Sequence, residues 1–340
     1  MTLPVEFPYA PMEALLVEEI PEGPWQYEPK WDGFRCLAFR DGTQLCLQSK
    51  AGQPLTRYFP ELAEAFLNLQ AEQFVLDGEI AVPVENQFSF DDLLQRIHPA
   101  ASRVRKLAEE FPAIFIAFDL LVEPGGKALV DLALPQRRQK LEAFARKYLK
   151  GPRFKLSPAT TDITTARKWL QQLGGDLDGI IAKRLDCPYA SGDRSGMQKV
   201  KLARTADCVV GGFRYAENQK VLGSLLLGLY NEAGLLDHVG YCSAFKTGER
   251  KALTPRLEAL VTPPGFTGRA PGGPSRWSTK RSTEWQPLRP ELVVEVSYDH
   301  FTGGRFRHGT RFIRWRPDKS PDQCRLDQIR KPGQGALALL

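Results

Sequence analysis

The spacing of apolar residues changes at about residue 203, and this change constrains the fold of the 340-residue chain more than any other feature. Before it, short apolar runs alternate with segments of helical spacing, which is typical of mixed α and β structure. After it, short strand-like runs dominate. The sequence therefore predicts an α+β protein of two domains: residues 1–203 with antiparallel sheets and flanking helices, and residues 204–340 with a small β-barrel.

The same patterns predict the individual elements. Helices are expected at residues 58–70, 90–110, 135–149, 164–173 and 253–260. Strands are expected at residues 34–40, 43–49, 74–82, 113–122, 179–183 and 198–201, and in the second domain at residues 208–212, 224–230, 238–242, 292–297 and 310–316. No apolar run is long enough for a membrane span, and the six cysteines form no C-x-x-C pair. We therefore expect a cytoplasmic protein without a structural zinc site.

The positive charge is concentrated in the second domain. Residues 204–340 contain 21 Lys and Arg against 13 Asp and Glu, a net charge of +8, whereas residues 1–203 have a net charge of −2. A basic domain fits a polyanionic partner such as DNA or RNA. The alternative is that the charge serves solubility alone.

A two-residue hairpin turn is predicted at Asp41-Gly42, because a type I′ turn needs residues that tolerate positive φ. Such a turn makes the paired positions sum to 83, which places Arg35 opposite residue 48 and residue 33 opposite Lys50. The sequence therefore predicts that the hairpin brings Lys50 close to Lys30, although 20 positions separate them.

Lys30 is the candidate nucleophile, and it lies in the pattern K-x-D-G-x-R just before the hairpin. Gly33 has no side chain, so a phosphate or a ribose could approach the backbone there. A lysine attacks phosphorus only as the neutral amine, and the neighbouring cations Arg35 and Lys50 favour that form. Taken alone, the pattern also fits an ordinary surface lysine at the start of a strand.

The rest of the chain supplies what a nucleotide pocket needs. Glu79 lies in an apolar strand, Phe118 lies near the end of a buried one, and Asp178 begins an acid–glycine–apolar–basic segment. Lys199 and Lys201 are two positions apart, so they share one face of a strand. A nucleobase needs an aromatic face, and a ribose needs a hydrogen-bond acceptor. Phosphates need lysines, and a metal needs carboxylates. The chain has each of these groups.

This order of motifs resembles the covalent nucleotidyltransferases, and more closely the short bacterial ATP-dependent DNA ligases of the LigC type. The resemblance covers nearly the whole chain and identifies Lys30 as the residue that is adenylylated. It implies a nucleotidyltransferase (adenylation) domain followed by an OB-fold domain. Lys50 stands where the family usually has arginine, and Asp178 where most of the superfamily has glutamate.

The resemblance also implies roles for the other residues. Glu79 is expected at the ribose hydroxyls and Phe118 against the nucleobase. The residues implied in nucleotide binding are Glu28, Arg35, Lys50, Glu79, Phe118, Lys199, Lys201, Arg316, Asp318 and Lys319. The residues implied as metal ligands are Asp32, Glu79 and Asp178.

The implied activity is ATP-dependent sealing of nicks in double-stranded DNA through a lysyl-AMP intermediate, with Mg²⁺ or Mn²⁺ as the metal. Alternatives are an RNA ligase, a GTP-dependent RNA capping guanylyltransferase, and a non-catalytic scaffold that binds nicks. Only 29 residues precede Lys30, too few for a large DNA-binding domain, so we expect the enzyme to rely on partner proteins to find its sites. We also expect a monomer. The expected setting is repair at the nucleoid, with a repair polymerase, a primase or end-joining proteins as partners and no membrane.

Overall fold

The computed structural model describes residues 1–85, 87–172, 177–201, 204–272, 284–329 and 336–340. The chain forms two compact units, Met1–Leu202 together with Gly333–Leu340, and Ala203–Pro332. The last eight residues therefore group with the first unit, whereas the sequence boundary assigned them to the second. The reason is apolar burial: Ala336 is fully buried, and Leu339 and Leu340 pack against the cluster that contains Trp31 and Leu177.

The first unit contains twelve strands and five α-helices among its described residues. Its strands are β1 (Leu15–Val17), β2 (Trp25–Lys30), β3 (Phe34–Asp41), β4 (Gln44–Ser49), β5 (Gln73–Ala81), β6 (Pro83–Val84), β7 (Gln87–Phe88), β8 (Ile114–Glu123), β9 (Lys127–Ala128), β10 (Phe154–Leu156), β11 (Gly179–Arg184) and β12 (Met197–Lys201). Its helices are α1 (Pro60–Leu67), α2 (Phe90–Gln95), α3 (Ala101–Glu110), α4 (Leu134–Lys147) and α5 (Ile163–Gln172).

Two main sheets organise these strands. The small sheet has the order β1-β12-β11-β2, and the large sheet has the order β10-β8-β5-β3-β4 with β9 beside β8. Neighbouring strands are antiparallel, except that β1 runs parallel to β12 and β10 runs parallel to β8. The predicted α+β class with antiparallel sheets is therefore confirmed.

The large sheet is buried on both faces. Successive residues of a strand point to opposite sides, so Ala38 and Leu76 join the cluster that contains Phe66 of α1 and Phe144 of α4. Leu37 belongs to a second apolar cluster, which includes the N-terminal residues Leu3 and Met12. This double burial fixes the strands that carry the site described below.

One predicted helix is divided in two. Residues 90–110 were expected to be mostly one helix, but α2 ends at Gln95 and α3 begins at Ala101. Pro99 lies between them, and proline removes a backbone donor and disfavours the helical conformation of the residue before it. The break was therefore readable from the sequence.

The hairpin of β3 and β4 forms, but its predicted register was wrong. Asp41 pairs with residue 44 and residue 36 with residue 49, so paired positions sum to 85 and not 83. Gly42 has a φ of +60° and Thr43 is not in the positive-φ region, so the turn consists of Gly42 and Thr43, as in a type II′ turn. The shift keeps every side chain on its predicted face. Arg35 and Lys50 therefore directly adjoin the paired residues 36 and 49 at the open end of the hairpin.

The second unit is a β-barrel. Its elements are β13 (Arg204–Tyr215), β14 (Leu222–Tyr230), β15 (Leu236–Cys242), α6 (Thr247–Glu258), β16 (Gln286–Pro287), β17 (Val293–Tyr298), β18 (Phe301–Thr302), β19 (Arg305–Phe306) and β20 (Arg311–Trp315). The sheet order is β15-β14-β13-β17-β20, and a parallel bridge between Cys242 and Thr310 closes it.

The five long strands are β13, β14, β15, β17 and β20. The closed order places the third, β15, beside the fifth, β20, and α6 lies between β15 and β17 in the chain. This is the topology of an OB-fold. The predicted OB-fold is therefore confirmed. A bulge at residues 210–212 of β13 supplies part of the curvature that closure requires. Within the described ranges of both units, no helix is long and apolar enough to cross a membrane.

Candidate active site

The site is built where β2, β11 and β12 meet. Lys30 is the last residue of β2 and pairs with Gly179, the first residue of β11. Gly179 has a φ of +142°, and a Cβ atom there would lie 1.9 Å from the carbonyl oxygen of Val200. Only glycine allows this close approach, which explains the acid–glycine pattern and aligns Lys30 with its neighbours.

Lys30 and Asp178 are in direct contact. Lys30 Nζ donates a hydrogen bond to Asp178 Oδ2, and the backbone N–H of Asp178 donates to the carbonyl oxygen of Lys30 at 3.0 Å. The Nζ of Lys201 lies 3.6 Å from Asp178 Oδ1. Asp178 therefore holds the candidate nucleophile through its backbone and its side chain.

A cavity of about 560 Å³ opens beside Lys30. Seven of the residues that the sequence singled out line it: Glu28, Lys30, Arg35, Lys50, Glu79, Phe118 and Lys199. Asp178 and Lys201 adjoin it through their contacts with Lys30. Asp32 does not line the cavity, although its charge acts on Glu79.

Gly33 is required by strand packing. A Cβ atom at Gly33 would lie 2.2 Å from the carbonyl oxygen of Ile80 and 2.9 Å from Cγ of Glu79. Gly33 also lines the cavity, so this packing reason adds to the prediction that a ligand can approach its backbone. Gly33 lets the start of β3 pass close to β5, and so brings Lys30 and Glu79 to one cavity.

Arg35 is fixed by a buried carboxylate. Its Nε and Nη2 donate to the two oxygens of Asp77 at 2.7 and 2.6 Å, and its guanidinium carbon lies 4.9 Å from the centre of the Phe118 ring. Burial is the largest single effect and opposes the charged form of Arg35, but the charge and hydrogen bonds of Asp77, together with the charges of Tyr189 and Glu79, outweigh it and raise the pKa of Arg35. Sequence reasoning assigned Asp77 no role. Its signal was an acid among the buried apolar residues of β5.

Lys183 was also missed. It forms a buried ion pair with Glu28, with Nζ 2.8 Å from Oε1 and 3.0 Å from Oε2. Lys183 Nζ also donates to the carbonyl oxygen of Phe118 at 3.2 Å and lies 4.7 Å from the centre of its ring. The sequence feature that could have identified Lys183 is its place as the basic residue that ends the acid–glycine–apolar–basic segment of Asp178. This pair places a carboxylate and an ammonium beside the aromatic wall.

Lys50 lies at the cavity edge and contacts an acid from the N-terminal segment. Its Nζ lies 3.3 Å from Glu13 Oε2, and Arg194 Nη2 contacts the same oxygen at 2.9 Å. The Lys50 side chain is 56% exposed, so it can turn to a ligand at small cost. Glu13 lines the cavity but drew no notice in the sequence.

The surroundings in the cavity shift the pKa values of two ionisable groups. Burial raises the pKa of Glu79 to about 8, against the opposing charges of Lys30 and Arg35. Burial lowers the pKa of Lys199, and the charges of Lys30 and Lys50 lower it further. Perturbed groups that line a cavity beside a reactive lysine are typical of a catalytic site.

These residues fit a nucleoside triphosphate. The cavity has the Phe118 ring, three carboxylates and several cations, and its volume is that of a pocket for a small molecule. Among the described residues, no group of three His, Cys, Asp or Glu side chains could hold a metal alone. Mg²⁺ usually binds one or two carboxylates together with substrate phosphates, so Asp178 and Glu79 fit that mode.

The C-terminal motif lies in the second unit and is tied to β13. Arg316 Nη1 contacts Asp207 Oδ1 at 2.9 Å, and Lys319 Nζ contacts Asp207 Oδ2 at 2.7 Å. Arg316 also donates to the exposed Asp318, whose pKa it holds down at about 2. Asp207 was not singled out from the sequence, yet it orders both cations of the motif.

The chain is similar to known proteins over nearly its whole length. Residues 10–201 match a family model described as ATP dependent DNA ligase domain, and residues 218–319 match one described as ATP dependent DNA ligase C terminal region. DNA ligase C2 of Mycolicibacterium smegmatis is 45% identical, with 98% of this chain and 97% of that protein covered. DNA ligase C of Mycobacterium tuberculosis is 43% identical, with 98% and 96% covered. The multifunctional non-homologous end joining protein LigD of Pseudomonas aeruginosa is 30% identical over 91% of this chain and 36% of its own length.

Proposed function

Because the chain belongs to the family of ATP-dependent DNA ligases, we propose that its cavity binds ATP and that Lys30 is the residue that becomes adenylylated. One observation carries this proposal. Lys30 ends β2 on the wall of a cavity that also holds an aromatic ring, a buried Glu28–Lys183 pair and the cations Arg35 and Lys199.

In the first step, Lys30 Nζ attacks the α-phosphorus of ATP. A nitrogen–phosphorus bond forms, the bond from that phosphorus to the bridging oxygen breaks, and pyrophosphate leaves. The proton from Nζ passes to the carboxylate of Asp178, with which Nζ is already in contact. Lys199 and Lys201 neutralise phosphate charge as the step proceeds, and such electrostatic stabilisation is the main source of catalysis in phosphoryl transfer.

The two later steps join the DNA ends. An oxygen of the 5′-phosphate at a nick attacks the phosphorus of the adenylylated Lys30, which frees the amine. The 3′-hydroxyl then attacks the 5′-phosphate, a new phosphodiester bond forms, and AMP leaves. The positive charge of Lys50 at the cavity edge suits the 5′-phosphate in these steps.

The other cavity residues hold the nucleotide. The ring of Phe118 offers a stacking face for adenine, and Glu28, held by Lys183, offers an acceptor for an amino group. Glu79 reaches the same cavity and suits the ribose hydroxyls. Asp178 and Glu79 would hold Mg²⁺ or Mn²⁺, and such a metal supplies charge neutralisation at the phosphates.

The biological setting we propose is repair of nicked double-stranded DNA at the nucleoid. The likeness to a protein named for non-homologous end joining supports a repair role. The net charge of +8 on residues 204–340 supports contact with the DNA backbone. A repair polymerase, a primase or an end-joining protein would bring the enzyme to its sites.

The test is transfer of radiolabelled nucleotide to the protein, followed by sealing of nicked DNA. With wild type we expect label from ATP but not from GTP, and sealed product. Lys30→Ala should give neither label nor product, while Lys106→Ala, on the exposed face of α3, should match wild type in both. Sealing retained by Lys30→Ala would contradict the proposal, and label from GTP would point to a capping enzyme.

A further inference from the structure

Tyr189 is buried beside the cavity and has no part in the chemistry described above. It is 5% exposed and lies in the segment between β11 and β12. Its hydroxyl donates to Asp77 Oδ2 at 2.6 Å and accepts from the backbone N–H of Met12 at 3.1 Å. One hydroxyl therefore joins three parts of the first unit that are far apart in sequence.

These contacts form a closed ring around Arg35. Arg35 Nη2 donates to the carbonyl oxygen of Met12 at 3.1 Å and to Asp77 Oδ2 at 2.6 Å. Tyr189 then connects Asp77 to the N–H of the same Met12. A buried charged group costs much free energy unless its hydrogen bonds are satisfied. The ring therefore restrains Asp77, which is fully buried, and through it the guanidinium of Arg35.

The phenol is itself held rigidly. The backbone N–H of Tyr189 donates to the carbonyl oxygen of Val130 at 2.8 Å, and its ring stacks on Tyr9 with 6.3 Å between centres. The guanidinium carbon of Arg137 lies 5.7 Å from the ring centre. Burial and the charge of Asp77 raise the pKa of Tyr189 well above its ordinary value, so the hydroxyl remains a donor.

We propose that Tyr189 is a positioning residue for the ligase reaction, and that it fixes Arg35 against Phe118 through Asp77 and Met12. Tyr189 does not line the cavity, so its effect passes through Arg35. This inference rests on the proposed function of the cavity, in which Arg35 acts on the bound nucleotide. It assigns a role in the reaction to a residue outside the motifs that the sequence made prominent.

The test is a double-mutant cycle of Tyr189→Phe and Arg35→Ala, measured as the rate of lysyl-AMP formation. Tyr189→Phe keeps the ring and removes the hydroxyl only. We expect it to slow the reaction about tenfold, the scale of one hydrogen bond to a charged group. In the Arg35→Ala background the same change should have no further effect, because residues that act as one unit are not additive.

Tyr27→Phe is the matched control. Tyr27 is 1% exposed, and its hydroxyl donates to the carbonyl oxygen of Pro21 at 2.8 Å, outside the ring around Arg35. It should lower the melting temperature about as much as Tyr189→Phe and leave the rate unchanged. Such a result would separate positioning from a general loss of stability.

Other outcomes contradict the inference in distinguishable ways. If Tyr189→Phe forms lysyl-AMP at the wild-type rate while Arg35→Ala is slow, the positioning role is wrong and the proposed function stands. If the effects of the two changes on the rate of lysyl-AMP formation multiply, Tyr189 does not act through Arg35. If wild type itself forms no lysyl-AMP, the proposed function fails together with the inference.

Discussion

Lys30 and Asp178 are joined twice, once by a backbone hydrogen bond of 3.0 Å and once by their side chains. The two residues are 148 positions apart, and the pairing of β2 with β11 brings them together. Asp178 is therefore a direct partner of the proposed nucleophile. The contact supports the proposal that Asp178 accepts the lysine proton.

Removing the Asp178 carboxylate should slow adenylylation of Lys30. We expect Asp178→Ala to reduce the rate about 100-fold, the lower range of general acid–base contributions. Asp178→Glu should retain most of the rate, because it keeps a carboxylate. Quench-flow measurement of lysyl-AMP would check this, with the exposed Asp186→Asn as control. A wild-type rate for Asp178→Ala would rule out the proton-acceptor role.

Breaking the Glu28–Lys183 pair should destabilise the protein strongly. Lys183→Met leaves a buried carboxylate without its partner, a change that costs about 3–5 kcal/mol. The neighbouring Arg184 pairs with Asp186 at the surface, where water screens the pair, so Arg184→Met should leave the stability almost unchanged. Denaturant unfolding of both variants measures the difference. Equal losses would show that the buried pair has no special weight.

Replacing Lys50 by arginine, the residue usual in the family, should preserve or improve sealing of nicks. Lys50→Arg keeps the charge and adds the bidentate geometry that suits phosphate. Lys50→Ala should reduce sealing about tenfold or more, with Lys106→Ala again unaffected. Steady-state sealing of a nicked duplex at low salt measures the effect, since added salt screens exposed charges. Full activity of Lys50→Ala would remove Lys50 from the site.

Glu79 should make stability fall with rising pH. Burial raises its pKa in the folded chain to about 8 from an ordinary value of 4.5, so between these values the folded state binds more protons than the unfolded state. The free energy of unfolding therefore decreases as pH rises from about 4.5 to about 8. Glu79→Gln cannot ionise and should lose this decrease. Urea unfolding at pH 5, 6.5 and 8 (chosen to span that window) would check it. Parallel curves for variant and wild type would contradict the assigned shift.

Asp318 should matter more for the first step than for the last. The family resemblance implies that Arg316, Asp318 and Lys319 orient the leaving pyrophosphate. We expect Asp318→Ala to slow lysyl-AMP formation about tenfold, the scale of one charge-assisted hydrogen bond, and to spare sealing of a nick that already carries AMP. Asp322→Ala, at another exposed acid of the same unit, is the control. Equal loss in both assays would contradict the assignment.

Much of the fold was predictable because it depends on local patterns. The strand expected at residues 113–122 is Ile114–Glu123, and the helix expected at residues 135–149 is Leu134–Lys147. The strand Trp25–Lys30 was missed. Five of its six residues are buried, so it shows no alternation of polar and apolar residues.

The fold class and the small β-barrel of the second unit follow from the sequence pattern, because periodicity and turn residues act over short distances, whereas the OB-fold was implied by the family resemblance. The order of motifs also singled out Lys30 and several residues that line its cavity, but not Glu13 or Lys183. The partners of the buried charged groups, such as Asp77 for Arg35 and Glu28 for Lys183, are evident only from the three-dimensional structure. Those pairs join residues 42 and 155 positions apart, and strand register and burial, which no local pattern encodes, bring them together.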